Sequence, residues 1–177
     1  MVNQPQFVPQ YQDVKSAHER IRPYIHRTPV FTSAAINQLT GRELFFKCEN
    51  FQKVGAFKYR GATNAVLKLG GERLRSGVAT HSSGNHAAAL ALAARTQGSR
   101  AWIVMPRTAP QVKIDAVKGY GARIVFCDPT LESRESTLEK VVEETGASFV
   151  HPFDNFDVVA GQGTAAKEFL EEVPNLD

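Results

Sequence analysis

The residues best equipped for chemistry in this 177-residue chain fall in two short runs, Gly55-Ala56-Phe57-Lys58 and Ser82-Ser83-Gly84-Asn85-His86. Lys58 stands beside an aromatic ring at the opening of an expected helix, where burial and neighbours would lower its pKa and expose a nucleophilic amine able to form a Schiff base. In the second run, the apolar stretch Val78-Ala79-Thr80 reads as a strand, and the Ala/Leu-rich stretch Ala87 to Gln97 reads as a helix. The turn between them would aim backbone N–H groups and two serine hydroxyls at one point, with the positive end of the helix dipole behind them. Such a point suits a carboxylate or a phosphate. Gly84 would let the chain approach a ligand closely. Taken singly, each run also has a plainer explanation. A lysine near a helix start is usually a solvated surface charge, and a Ser/Gly/Asn turn before a helix is usually a cap.

Both runs sit in an alternating series of elements. Residues 12–25 carry Val14, Ala17 and Ile21 at helical spacing, and Pro29 bars any continuation. Leu44 to Lys47 reads as a strand. Phe57, Gly61, Ala65 and Leu69 recur every fourth residue on a helix that Gly70-Gly71 stops. Beyond it the pattern predicts strand 78–81, helix 86–97, strand 101–105, helix 109–118, strand 122–127, helix 131–144 and strand 148–150. Thr108-Ala109-Pro110-Gln111 has capping-box spacing with proline in the first turn. The β-α-β-α-β-α-β order predicts an α/β fold, a parallel twisted sheet flanked by helices through right-handed crossovers. Asn155 to Val173 follows and contains Gly161-Gln162-Gly163-Thr164, part of a dinucleotide-binding glycine pattern. A Rossmann reading needs a strand ending at that turn; close helix packing is the alternative use of those glycines. No linker of low complexity and no internal repeat stands out.

Composition excludes several classes of function. Twenty-one Lys and Arg against 18 Asp and Glu leave a net charge of +3. No basic run is interleaved with aromatics, so no nucleic-acid partner is expected. The longest apolar stretches are far shorter than a membrane span, and Met1 to Gln6 has neither a basic nor an apolar leader region. The expectation is a cytoplasmic protein with no membrane partner. Cys48 and Cys127 are the only cysteines and read as a reduced pair, with no metal-ligand spacing. His18, His26 and His151 read as surface or capping residues, while His86 opens the helix at the proposed site and shapes its loop.

The motifs together resemble one family. Thr28-Pro29-Val30, Thr32-Ser33, Leu44 to Glu49, Phe51-Gln52-Lys53, Phe57-Lys58, Arg60-Gly61-Ala62 and Thr80 to His86 match it, as do Gly119 to Ala122, Glu132 to Glu135, His151-Pro152 and Ala160 to Thr164. The chain resembles the β-family (fold type II, tryptophan-synthase-β-like) pyridoxal-phosphate enzymes, and within them the serine racemases and serine/threonine dehydratases. The resemblance implies that Lys58, beside Phe57, holds pyridoxal 5'-phosphate covalently and takes the Cα proton of an amino-acid substrate from one face. Asn85 would hydrogen-bond the phenolic oxygen of the cofactor, and the Ser82 to His86 loop would hold the substrate carboxylate. Ser83 would serve the opposite face, the position that separates racemases from plain dehydratases; its other reading is a turn-capping hydroxyl. Arg134 would contact the substrate or close the small domain over it, with a solvated helix arginine as the alternative. The family's organisation would place residues 1–75 in the large domain, 76–154 in a small α/β domain and 155–177 in the returning large domain.

Other implications concern regulation and completeness. Ser33, Lys53, Lys113 and Tyr120 match nucleotide-contacting positions, yet Ala34, Ala87 and Ala88 stand where nucleotide-responsive members carry polar side chains. His151-Pro152-Phe153-Asp154 is similar to the dehydratase form of its loop, which favours dehydratase or bifunctional activity, with serine, threonine or 3-hydroxyaspartate as substrate. The phosphate-binding glycine run and the acidic metal site of the family have no counterpart in this chain. The expectation is therefore a truncated chain with no metal site of its own, whose full-length form would be a homodimer that uses Mg2+ and ATP in some members. A Rossmann protein without pyridoxal chemistry, and a non-catalytic truncated isoform serving as an interaction module, are the competing readings.

Overall fold

Among the described residues eight α-helices and six strands follow one another in the order α1 (Tyr11–Ile21), β1 (Val30–Thr32), α2 (Ala34–Thr40), β2 (Phe45–Lys47), α3 (Lys58–Leu69), α4 (Gly71–Ser76), β3 (Val78–His81), α5 (Asn85–Thr96), β4 (Ala101–Pro106), α6 (Gln111–Gly119), β5 (Arg123–Cys127), α7 (Leu131–Thr145), β6 (Ser148–Phe149) and α8 (Phe156–Glu172), with two short 3-10 turns at Glu49–Phe51 and Lys53–Gly55. The structure, a computed structural model, describes residues 8–176.

β3 to β6 form one parallel sheet in the order β5-β4-β3-β6. Val78 to His81 lie opposite Ala101 to Val104, and Val78 and Ala79 lie opposite Ser148 and Phe149. β4 is buried along its whole length, as expected of a strand covered on both faces. Val78, Ile103 and Met105 pack with Leu90, Ala94, Ile114 and Val117 of α5 and α6. Ala79, Trp102 and Val104 face the other way, onto Leu138 and Val141 of α7. The chain runs outward from β3 to β5 and then returns to the far side of β3. A right-handed crossover must therefore put α7 on the face opposite α5 and α6. The strand order reverses between β3 and β6, and the crevice beyond the carboxyl ends of such a pair is where open α/β sheets bind ligands.

The N-terminal elements build a second layer against α8. β1 and β2 pair antiparallel, Val30 opposite Lys47, an addition to the parallel sheet that the periodicity predicted. α3 and α8 cross with almost no separation. A Cβ added to Gly161 would lie 2.7 Å from the Gly61 Cα, and one added to Gly61 would lie 2.6 Å from the Val158 carbonyl oxygen. Gly161 and Gly163 thus stand in the middle of α8 as packing residues. The Rossmann reading fails here, because no strand ends at these glycines.

Beside this crossing lies Arg60, fully buried. Its guanidinium is held bidentately twice. Nε and Nη2 donate to the two oxygens of Glu49 at 2.8 Å each, and Nη1 and Nη2 donate to those of Glu168 at 2.9 and 2.8 Å. Lys47 Nζ approaches Glu168 Oε2 at 3.1 Å and Glu172 Oε1 at 2.9 Å. Burial pushes the Glu168 carboxyl up, but the hydrogen bonds and charges of Arg60 and Lys47 outweigh it and leave the pKa below the usual range.

Several local expectations are corrected. α1 ends at Ile21, four residues early, because Pro23 has no N–H to donate to the preceding turn. α6 opens at Gln111, with Pro110 as its extended N-cap and no side-chain cap from Thr108; Ala109, preceding a proline, is disfavoured in the helical region. α2 and β1 escaped the reading since α2 buries no residue and β1 is three residues long. His18 is not a surface residue: it is 7% exposed, with Nδ1 3.8 Å from Glu168 Oε1. Burial lowers its pKa.

Glu168→Leu should cost about 3–5 kcal/mol in a urea titration, the consequence of leaving a buried guanidinium without one of its two carboxylates. Because the folded-state pKa of Glu168 is depressed, its contribution is complete above the unfolded carboxylate value of about 4.3 and is lost as pH falls through the folded value. The acid limb of the stability profile should be shallower in the variant.

Candidate active site

A strained turn delivers the chain into α3. Val54 has φ +61° and ψ +9°, and Gly55 follows at φ +70°. For a β-branched residue this region costs of order 1–3 kcal/mol, a cost met just upstream of Lys58. Phe57 is the N-cap of the helix and is 43% exposed. Lys58 is the first residue of α3, as predicted. Its Nζ lies 5.3 Å from the Phe57 ring centroid and donates a 2.9 Å hydrogen bond to the carbonyl oxygen of Pro152, in the loop after β6. Burial lowers the pKa of this amine.

The second run leaves β3 and enters α5. Ser82 N continues the ladder to the Val104 carbonyl at 3.0 Å, and Ser82 Oγ accepts from Gly84 N at 3.3 Å. Gly84 is the extended N-cap of α5, and no side chain caps that helix. The amides of Asn85 and His86 have no partner within the helix, so they and the dipole suit an anion. The Ser83 hydroxyl is half-buried and makes no hydrogen bond among the described residues, so the turn-capping role falls to Ser82.

Asn85 and His86 each have a fixed orientation. Asn85 Oδ1 accepts from Lys113 Nζ of α6 at 2.9 Å, which turns the amide NH2 toward other partners. His86 is 3% exposed, and its Nε2 lies 3.3 Å from the Val150 carbonyl oxygen. A carbonyl only accepts, so Nε2 carries the proton. Burial, joined by the nearby positive charge of Lys58 and opposed by the hydrogen bond to Val150, pushes the His86 pKa down to about 4. The ring is neutral at pH 7, and its buried Nδ1 has no partner among the described residues.

Lys58 and the Ser82 to His86 turn therefore converge on one segment, residues 150–152, Lys58 through Pro152 and His86 through Val150. Other expected site residues are placed elsewhere. Arg134 lies in the first turn of α7, its Nε buried and unpartnered among the described residues, and makes no hydrogen bond to the turn. Ser33 caps α2 by accepting from Ile36 N, Lys53 Nζ sits 5.7 Å from the Tyr59 ring centroid, and Tyr120 ends α6. Of these nucleotide candidates, Lys113 alone bonds to a residue of the turn. His81 went unrecognised in the sequence, and His151 was read only as a surface or capping residue. His81 stacks on Phe149 at 5.9 Å, and His151 accepts the Phe153 and Asp154 amides on Nδ1 at 3.3 and 2.8 Å. The signal for both was the register of β3 with β6, which no single-segment pattern carries. Among the described residues no group of three or more His, Cys, Asp or Glu could hold a metal ion, and no helix is long and apolar enough to cross a membrane.

A part-buried amine and a helix N-terminus tied to one loop segment at the switch point of a parallel α/β sheet make up the candidate site. The chain belongs to the pyridoxal-phosphate dependent enzyme family, whose model matches residues 21–177. It is 57% identical over 171 residues to beta-hydroxyaspartate dehydratase of Paracoccus denitrificans, covering 97% of this chain and 54% of that relative. It is 52% identical to the serine racemase of Dictyostelium discoideum, covering 94% of this chain and 51% of the relative. The structure of maize serine racemase superposes with a TM-score of 0.95 at 50% identity, over 97% of this chain and 52% of that one. The chain spans about half the length of the curated relatives it matches.

The neutral His86 makes a pH prediction. Its folded pKa is about 4 against an ordinary 6.5, so the unfolded chain binds the proton first as pH falls. Stability should be complete above pH 6.5 and should drop by about 3 kcal/mol by pH 4 on this account. His86→Asn should remove that portion of the pH dependence when urea midpoints are compared at pH 7 and pH 4.5.

Proposed function

We propose that this chain carries the amine-bearing part of a pyridoxal-phosphate site that racemises serine and eliminates water from it, releasing ammonia. The single observation that carries the reading is that the part-buried Lys58 amine and His86, at the uncapped N-terminus of α5, are both bonded to the 150–152 segment.

The residues fit the cofactor. Lys58 is a primary amine free of any carboxylate partner among the described residues and suited to an aldehyde. Asn85, its oxygen occupied by Lys113, presents an NH2 donor that suits a phenolic oxygen. Pyridoxal phosphate, when bound, supplies the electron sink that stabilises negative charge on the substrate Cα. The chain's own residues orient the substrate and handle protons. The first amides of α5 and Ser82 would hold its carboxylate, with Gly84 and His86 shaping the cradle. The Lys58 amine would take the Cα proton from one face, and the unengaged Ser83 hydroxyl would exchange a proton at the other. Racemisation needs both faces; elimination needs only the Lys58 face and a donor to the leaving hydroxyl.

The 57% identity to a beta-hydroxyaspartate dehydratase supports a second reading, elimination from 3-hydroxyaspartate or threonine as the main reaction. Three further parts belong to the proposal: the division of residues 1–75, 76–154 and 155–177 between a large and a small domain, a homodimeric full-length state, and cytoplasmic residence. Arg134 contacting the substrate or closing the small domain belongs to it too, as do nucleotide binding through Ser33, Lys53, Lys113 and Tyr120 and the use of Mg2+ and ATP by the full-length protein, with the metal site outside this chain.

Incubation with pyridoxal phosphate, borohydride reduction and peptide mapping should label Lys58, and Lys58→Ala should abolish that labelling. Scattered labelling of exposed lysines would defeat the reading. Ser83→Ala should lower conversion of L- to D-serine by about 100-fold or more while pyruvate formation from serine persists; equal loss of both would remove Ser83 from the proton-transfer role.

A further inference from the structure

The loop that receives Lys58 has no regular structure, yet both of its ends are held. On one side, Val150 N donates to the Ala79 carbonyl at 2.9 Å, and the Val150 carbonyl accepts from His86 Nε2. On the other, Asn155 caps α8 by accepting from Val158 N at 3.0 Å. Between them Pro152 has no N–H with which to anchor itself. Two consecutive donors of the loop, Phe153 N and Asp154 N, both go to one atom, Nδ1 of His151. An imidazole nitrogen that accepts two amides carries no proton, so the proton of this ring is on Nε2.

The ring itself is fixed by its neighbours. Phe153 meets it edge-on at 4.5 Å, Phe149 at 5.6 Å and His81 at 6.1 Å between centroids. The side chain thus cannot turn without dropping the two amides, and dropping them frees the peptide whose carbonyl takes the Lys58 amine.

We propose that His151 is a positioning residue for Lys58: by accepting the Phe153 and Asp154 amides on Nδ1, it holds the Pro152 carbonyl at the place where that carbonyl receives the Lys58 amine. The inference rests on the reading of Lys58 as the reactive amine. A carbonyl acceptor suits that role. It commits one N–H and so directs the lone pair away from the loop, and it adds no negative charge that would lock the amine as ammonium. A carboxylate at the same point would do so.

Two variants separate positioning from simple capping. His151→Asn can place an amide oxygen near the position of Nδ1, and His151→Phe keeps a ring with no acceptor. The ionisation of Lys58 would be read in the full chain from pH-dependent competitive acetylation with acetic anhydride and peptide mass spectrometry, alongside the melting temperature. An ammonium donates a stronger hydrogen bond than an amine does, so loss of the carbonyl should move the Lys58 midpoint in His151→Phe down by about one pH unit. His151→Asn should keep the wild-type midpoint. A His151→Phe curve that superimposes on wild type, even with a lower melting temperature, would reduce His151 to a loop cap and overturn the proposal. Should His151→Phe not fold, the 15N spectrum of the wild-type imidazole decides, since a proton on Nδ1 would be incompatible with the two accepted amides. Failure of pyridoxal phosphate to label Lys58 would instead defeat the catalytic reading, while the acetylation midpoints would still report the coupling.

Discussion

A buried guanidinium two residues from the Lys58 amine sets the terms for the N-terminal half of the molecule. Arg60 cannot lose its charge, and its donors must all be satisfied inside protein. Two carboxylates meet that demand, Glu49 from the segment after β2 and Glu168 from the far end of α8. Replacing such a network with apolar side chains is often neutral in stability; what the network adds here is direction. It fixes α3 against α8 beside the point where Gly61 and Gly161 remove every side chain between them. The first turn of α3, with Lys58, can then point only one way.

The position of the amine matters because of what the sheet does at the same place. The chain reverses its strand order between β3 and β6, so two loops that are far apart in sequence emerge side by side. One is the uncapped turn into α5. The other is the 150–155 loop that accepts Lys58. Both are tied by histidines, the buried His86 bonded to the Val150 carbonyl and His151 set among the rings of His81, Phe149 and Phe153. An imidazole suits this task, because one ring can accept backbone amides, as His151 does, or donate to a carbonyl, as His86 does.

Much of this was legible from local signals. Lys58 at a helix start, the Ser82 to His86 turn and the four-strand parallel pattern all follow from short-range periodicity and turn chemistry, and every strand of that sheet lies within one or two residues of its expected position. Misjudgements cluster where proline or partner choice decides. Pro23 shortens α1 and Pro110 delays α6, although composition alone reads both segments as helix. His18 looked like a surface residue because nothing near it in sequence reveals Glu168, 150 positions away.

The sequence by itself determined the chemistry available: one amine at a helix entrance, one hydroxyl-rich turn before a helix, glycines spaced for close packing, and a strand-helix alternation that admits few topologies. Only the tertiary structure decided which groups meet. That the Pro152 carbonyl receives Lys58, that Lys113 orients Asn85, that Ser83 stays unengaged while Ser82 makes the turn, and that His81 and His151 flank the site depend on pairings between segments tens of residues apart. The physical reason is that periodicity and capping act within a few residues, whereas the register of β3 with β6 and the crossing of α3 with α8 are set by long-range packing and by the need to pair buried polar groups.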